Sequence, residues 1–317
     1  MMRTKAIATA ALVAALAAMP FAVSAWQASS WAPVSLAEGS RVRIPFAPPL
    51  GTTLRYLLVH DEPRGGRAVR TEFGLLVRFE RVSEGYRMVT TLQAPGTAAF
   101  RANPVIQITE RPIAFRLDRE GAIVGIDEEA QYWAGIDEVF DRLLAGPMKN
   151  DVTATRMFRG TLEHMKQLPL PERLELVGRN VKPLVSFAGA DIRVGATIPL
   201  GDEEAAVPLP MLKDQSLTRT TRITLRGVTG DVATFETVST VDAGDLNKMV
   251  GELSKMRAKK SPGETERDGM ETLRQSIIDE VSVQTGLTHR HKEVTVAEAL
   301  EKGRPVRITR TRQLYRL

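Results

Sequence analysis

Hydrophobic and polar positions alternate along much of the chain, and the period changes at a few defined places. Thr71 to Arg81 places Phe73, Leu75, Val77 and Phe79 on one face. After Ser83-Glu84-Gly85 the run from Tyr86 to Leu92 returns. Period two on both sides of a Gly turn predicts a β-hairpin. Shorter strands are expected at 41–44, 54–59, 105–109, 113–117 and 122–126, with a turn at Asp118-Arg119-Glu120-Gly121. His60-Asp61-Glu62, ahead of Pro63-Arg64-Gly65-Gly66, reads as a surface turn.

From Asp127 the period becomes helical. Trp133, Ile136, Phe140 and Leu143 share a stripe, and acids crowd the first turn, where the helix dipole favours them. A second helix is expected over 151–167, with Phe158, Leu162 and Met165 inward, ended by Pro169 and Pro171. Strands resume at 185–187, 192–194, 217–226 and 232–241. Two helical pieces are then expected, 244–259 and 264–279, separated by Ser261-Pro262-Gly263. The first carries Leu246, Met249, Val250, Leu253 and Met256 on one side, the second Met270, Leu273 and Ile277. Two strands close the chain, 281–296 around Thr285-Gly286, and 304–317.

The fold class is therefore α+β, an antiparallel sheet with helices packed over one face. The order suggests a duplication within one domain, 41–317, with halves of about 41–175 and 176–317. Phe79 to Ala94 reads like Leu225 to Asp231 followed by Thr237 to Ala243, and Gly51-Thr52-Thr53 matches Gly195-Ala196-Thr197.

The start of the chain adds a compartment. Arg3 and Lys5 precede an apolar run from Ala6 to Ala18, and Val23-Ser24-Ala25 offers small residues for cleavage after Ala25. This is the pattern of a secretory signal, and the run is too short for a membrane span. Residues 1–25 are read as signal and 26–40 as an arm or linker, with the mature protein in the periplasm. Losing Arg3 and Lys5 lowers the formal net charge from +5 to +3. Cations concentrate at the end: Lys302, Arg304, Arg307, Arg310, Arg312 and Arg316, without an acid between. Such a segment could meet an anionic surface, but Val306 and Ile308 flank Arg307 as in a half-buried strand. No recognised nucleic-acid motif is present.

Chemistry is sparse. The chain has no Cys, which excludes disulfides, thiolate metal sites and a lipid-modified N-terminal Cys. No nucleophile elbow, phosphate loop, His-Glu-x-x-His or dinucleotide fingerprint occurs. His289, His291 and Glu293 would share a strand face and could hold zinc. Arg290 and Lys292 between them favour a solvated strand face instead, so neither metal nor cofactor is expected. His164 suits the last turns of its helix as a cation.

An exported antiparallel sheet with helices over its inner face, carrying Gly51-Thr52, Gly85, Gly121, Gly195 and Gly286, resembles the open half-barrel of bacterial lipoprotein carriers (LolA-like). The resemblance covers about residues 41–317 in outline and rests on element order and glycines, with no diagnostic motif. It implies an apolar cavity between sheet and helices. The expectation is a soluble, non-catalytic carrier of a lipid-like ligand. Its cavity would be lined by Phe73, Leu75, Phe79, Ile223, Leu225, Phe235, Met249 and Leu253. The alternatives are an envelope scaffold or protein-interaction module and, more remotely, a hydrolase with an unrecognised site.

Overall fold

The computed structural model describes residues 38–64, 67–94, 110–145, 152–206, 216–260, 270–301 and 304–317. The expected signal and all of the arm before residue 38, the strand at 105–109 and the Ser261-Pro262-Gly263 break lie outside the described residues. Among these residues no helix is long and apolar enough to cross a membrane.

The architecture is dominated by an open, fully antiparallel sheet of eleven strands. A first meander comprises β2 (Thr53–Arg64), β3 (Arg67–Val82), β4 (Gly85–Gln93), β5 (Ile113–Leu117) and β6 (Ile123–Ile126). A second comprises β8 (Thr197–Ala206), β9 (Ser216–Thr229), β10 (Val232–Val241), β11 (Met270–Ser282) and β12 (Thr288–Glu301). The last strand, β13 (Arg304–Arg316), lies between β2 and β12 and joins the two meanders. Two short strands, β1 (Arg41–Arg43) and β7 (Asp191–Arg193), pair separately, fastened by an Arg41–Asp191 ion pair at 2.6 Å. The helices are α1 (Glu129–Ala145), α2 (Val152–Gln167), α3 (Leu170–Gly178) and α4 (Ala243–Lys260), with a 3-10 turn at Lys182–Leu184.

Period two decides which face is covered. On β3, Leu75, Val77 and Phe79 are buried, and on β4 Tyr86 and Met88 join them. With Tyr56, Leu58, Phe115, Leu117, Leu184 and Leu314 they form the larger apolar cluster. A second cluster gathers Leu225, Phe235 and Val281 from the other meander around Val42, Ile44, Phe187 and Ile192. There the Phe187 and Phe235 rings stack at 3.9 Å. Trp133 and Ile136 of α1 pack on Leu162 of α2 in a third, smaller group.

The same local arrangement occurs once in each meander: the Gly51 N–H donates to the Phe79 carbonyl, and the Gly195 N–H to the Leu225 carbonyl. Both glycines have positive φ, 70° and 79°. At Gly286 the requirement is stricter. Its φ is 72°, and a Cβ there would stand 2.2 Å from the Pro45 carbonyl oxygen. The turn before β12 therefore packs directly on the segment leading into β2, and Ala47 donates to Thr285 across the same contact.

Several expectations change. Over 270–279 the helix expected at 264–279 is instead strand β11, and 264–269 lie outside the described residues. Leu273, Gln275, Asp279 and Val281 are all buried at alternate positions, so the strand's inward face is half polar and its period is hidden from a hydrophobicity pattern. Val185-Ser186-Phe187 is a run of turns after the 3-10 element, not a strand. Pro169 and Pro171 end α2 but also begin α3, which the pattern missed; Pro suits a first helical turn. The loop expected at His60-Asp61-Glu62 is the continuation of β2. The two hairpins, α1, α2, α4 and β13 form where expected.

Because β13 is an interior strand, deleting residues 304–317 should leave no soluble, folded protein, with one edge each of β2 and β12 unpaired. Leu314→Ala, at a side chain 1% exposed, should cost about 2–5 kcal/mol in denaturant unfolding. Arg307→Glu, on the opposite face, should change stability by well under 1 kcal/mol. A truncated chain that melts like the full one would refute this placement of β13.

Candidate polar cleft and buried charge cluster

Between the two apolar clusters the covered face turns polar. The registers of β9 to β13 align Thr221, Ser239, Gln275, Thr295 and Arg310 as one cross-strand row. The neighbouring row aligns Thr237, Ile277, Glu293, Arg312 and His60. Thr221, Ser239 and Gln275 are buried, and the first two hydrogen-bond each other at 3.0 Å.

Four ionisable groups are buried at the middle of this band: Asp279, His291, Glu293 and Arg312. His291 Nδ1 lies 2.7 Å from Asp279 Oδ1, and its Nε2 lies 3.8 Å from Glu293 Oε2. Glu293 accepts from Gln275 at 3.1 Å and from Arg312 Nη1 at 3.4 Å. Arg312 also donates through Nη2 to the Arg179 carbonyl and to Asn180 Oδ1, just beyond α3. A cation there suits the negative end of the helix.

Burial alone would lower the His291 pKa, but Asp279 and then Glu293 outweigh it and hold the imidazole raised, to about 9. Burial likewise opposes the Glu293 carboxylate, yet its contact with His291 and the charge of Arg312 bring it down to about 2. The four groups thus form two ion pairs that sum to neutrality, the condition under which buried charge is tolerated. The His–Asp pair has the geometry of a catalytic dyad, but an imidazolium cannot serve as a base, and Nε2 has no hydrogen-bond partner.

Beside this cluster a cleft of about 260 Å³ opens between the end of α3 and the sheet. Leu176, Arg179 and Asn180 form its roof; His60 and Glu62 of β2, Arg310 and Arg312 of β13, and Glu293 and Thr295 of β12 line its floor. His60 packs edge-on against Phe73, with ring centroids 6.1 Å apart. Its pKa is lowered to about 4, first by burial and then by the charges of Arg312 and Arg179, so the ring is neutral near pH 7.

The residues expected to line an apolar cavity are placed as follows. Leu75 and Phe79, with Phe73 against them, belong to the larger cluster. Leu225 and Phe235, with Ile223, belong to the second. Met249 of α4 is buried at 1% exposure, with Leu246 beside it at 0%, where the helix crosses β9 and β11. Leu253 lies on α4, but its side chain is outside the described residues. None of the seven whose side chains are described lines the cleft. His291 and Glu293 share a face as the spacing suggested, but they are buried, so the solvated-face reading is corrected. A bulge opposite Glu280/Val281 takes His289 out of their row, and no group placed to hold a metal occurs among the described residues.

Sequence reading missed His60, Arg312 and Asp279 as members of a site. The available signal was the polar partners of a period-two pattern: Leu54, Tyr56, Leu58, His60 and Glu62 continue one face of β2.

The pH dependence of stability follows from these shifts. His291, raised above its ordinary 6.5, contributes fully below about pH 6.5 and loses that contribution as pH rises through 9. His60 and Glu293, both lowered, contribute at neutral pH and lose it on acidification, His60 between 6.5 and 4 and Glu293 between 4.5 and 2. The melting temperature should therefore peak near pH 6.5 and decline on both sides. The alkaline limb should be worth on the order of 3 kcal/mol. His291→Gln should lower the peak and abolish that limb; an unchanged alkaline slope in this variant would exclude His291 as its source. In comparison with known proteins, the chain matches no family model and no curated sequence.

Proposed function

We propose that this is an exported, non-catalytic carrier protein for a lipid-like ligand, and that the ligand's polar end enters the cleft beneath α3. The observation that carries this reading is the cleft itself, set into the covered face of an open sheet and lined by three guanidinium groups and a neutral imidazole. A small polar cavity with converging donors suits specific binding. Its volume fits a head group and not an acyl chain, so the apolar part must lie against the helices. The helix laid over the second meander is α4. It is held at its start by Asp245, which accepts from the Thr218 amide at 3.0 Å and hydroxyl at 2.7 Å, and it buries few side chains beyond Leu246 and Met249 among those described. Helices laid over an open sheet also fit the LolA-like half-barrel resemblance.

The rival reading, an interaction module working through a basic terminus, loses part of its motive. Two cations of β13 are used inside the fold, Arg312 in the buried cluster and Arg310 in the cleft, while Arg307 is exposed beside Glu298 at 3.9 Å. A hydrolase would need a nucleophile beside a usable base, and His291 is held as a cation.

Two measurements test the proposal. Purified from the periplasm, the protein should begin at Trp26; a product retaining Met1 would remove export. Native mass spectrometry of the gently purified protein should find an added amphipathic species that chloroform–methanol extracts. A bare polypeptide mass, with no thermal stabilisation by a total lipid extract, would overturn the carrier reading.

A further inference from the structure

Six buried side-chain atoms have no hydrogen-bond partner among the described residues, and two of them belong to residues that line the cleft: His60 Nε2 on β2 and Arg312 Nε on β13. The two residues are direct cross-strand neighbours, and both line the cleft. Arg Nε is always a donor, and a neutral imidazole carrying its proton on Nε2 is a second. Leaving a buried donor without an acceptor is costly, so adjacent ones are a feature to be accounted for. The remaining lining adds Arg310 from the floor and Arg179 from the roof. Against them stand Glu62 and Glu293, and Glu293 is already neutralised by His291 and Arg312.

We propose that the cleft is an oxyanion site, with phosphate its simplest ligand. One anionic oxygen accepts from His60 Nε2 and Arg312 Nε, while Arg310 and Arg179 balance the charge. Donors on both floor and roof match a tetrahedral anion, which presents oxygens in several directions. The groups facing His60 are Glu62 on its own strand, Arg312 and Glu293 from β13 and β12, and Arg179 from beyond α3. An anion among them would offset the two guanidinium charges that, after burial, hold this imidazole neutral. Binding should therefore raise the His60 titration midpoint. This inference rests on the carrier reading only in making the oxyanion the head of the ligand.

The test uses the mature protein with two probes, inorganic phosphate and dodecyl phosphate, by titration calorimetry and by NMR of the His resonances. Both probes should bind saturably. Arg310→Gln and His60→Leu should each weaken binding about tenfold or more, and His60→Gln, which keeps a donor, should retain most of it. Glu62→Gln should strengthen it. Phosphate should move the His60 midpoint upward from about 4 and leave that of His289 in place. Melting curves of each variant confirm that the fold survives. Dodecyl phosphate binding no tighter than phosphate would leave the oxyanion site standing and overturn the lipid carrier. Dodecyl phosphate binding that ignores Arg310→Gln and His60→Leu would place the ligand elsewhere and overturn the oxyanion site. No saturable binding of phosphate at millimolar concentration, with the His60 midpoint unmoved, would do the same.

Discussion

The pairing of β13 with β2 on one side and β12 on the other joins two meanders that would otherwise be separate sheets. The larger apolar cluster lies mainly on the first meander and a second cluster on the other. Joined, they share Leu314 and Leu287 with the larger cluster and place the turn at Gly286 against the Pro45 carbonyl. The joint also brings the polar ends of several strands together. Arg312 meets His60 and Glu293 only because the registers of β2, β12 and β13 are fixed to one another. A slip of one residue in β13 would turn Arg312 and Leu314 to the solvent face and leave Glu293 and Asp279 as buried anions facing one imidazolium.

That coupling makes the charged quartet a register device more than a source of net stability. Removing two charges from water costs several kcal/mol per ion, and an apolar replacement of similar volume is often as stable. What an apolar seam would not supply is discrimination between registers. Here the hydrogen bonds from Gln275 to Glu293 and from Arg312 to the residues beyond α3 form only in one register. The same bonds tie the roof at α3 to the floor of the cleft, so the cleft's shape and the sheet's register are set by one set of contacts.

Legibility in the sequence tracked how apolar each face is. β3 reads plainly because Phe73, Leu75, Val77 and Phe79 alternate without interruption, and α1 because Trp133 and Ile136 recur at helical spacing behind an acidic first turn. β11 was read as helix because its buried positions include Gln275 and Asp279. Met270, Leu273 and Ile277 then seemed spaced for a helix although only the alternate residues point inward. β2 was cut short at Val59 for the same reason, since His60 and Glu62 continue its inner face as polar groups. The cleft lies where the second of those readings failed, and the buried cluster beside it takes Gln275 and Asp279 from the first. No local pattern distinguishes a polar residue facing solvent from one facing a buried partner on a neighbouring strand far away in sequence, and the partner of Arg312 is set by pairing and not by spacing.

One of the apolar residues expected to line a cavity, Phe73, instead packs beside the cleft. Phe73 sets the ring of His60 from one side, and Leu58 and Leu314, paired across the strands next to His60 and Arg312, fill the layer beneath. A binding group keeps its orientation when its own rotamer is locked by packed neighbours. On this account the filled clusters and the polar band belong to one design. The apolar rows provide the rigidity, and the polar row between them carries side chains whose hydrogen-bonding capacity is not all used within the fold. Gln275, Ser239 and Thr221 find partners within the band, and of the buried side-chain atoms without one, His60 Nε2 and Arg312 Nε are the two whose residues line the cleft.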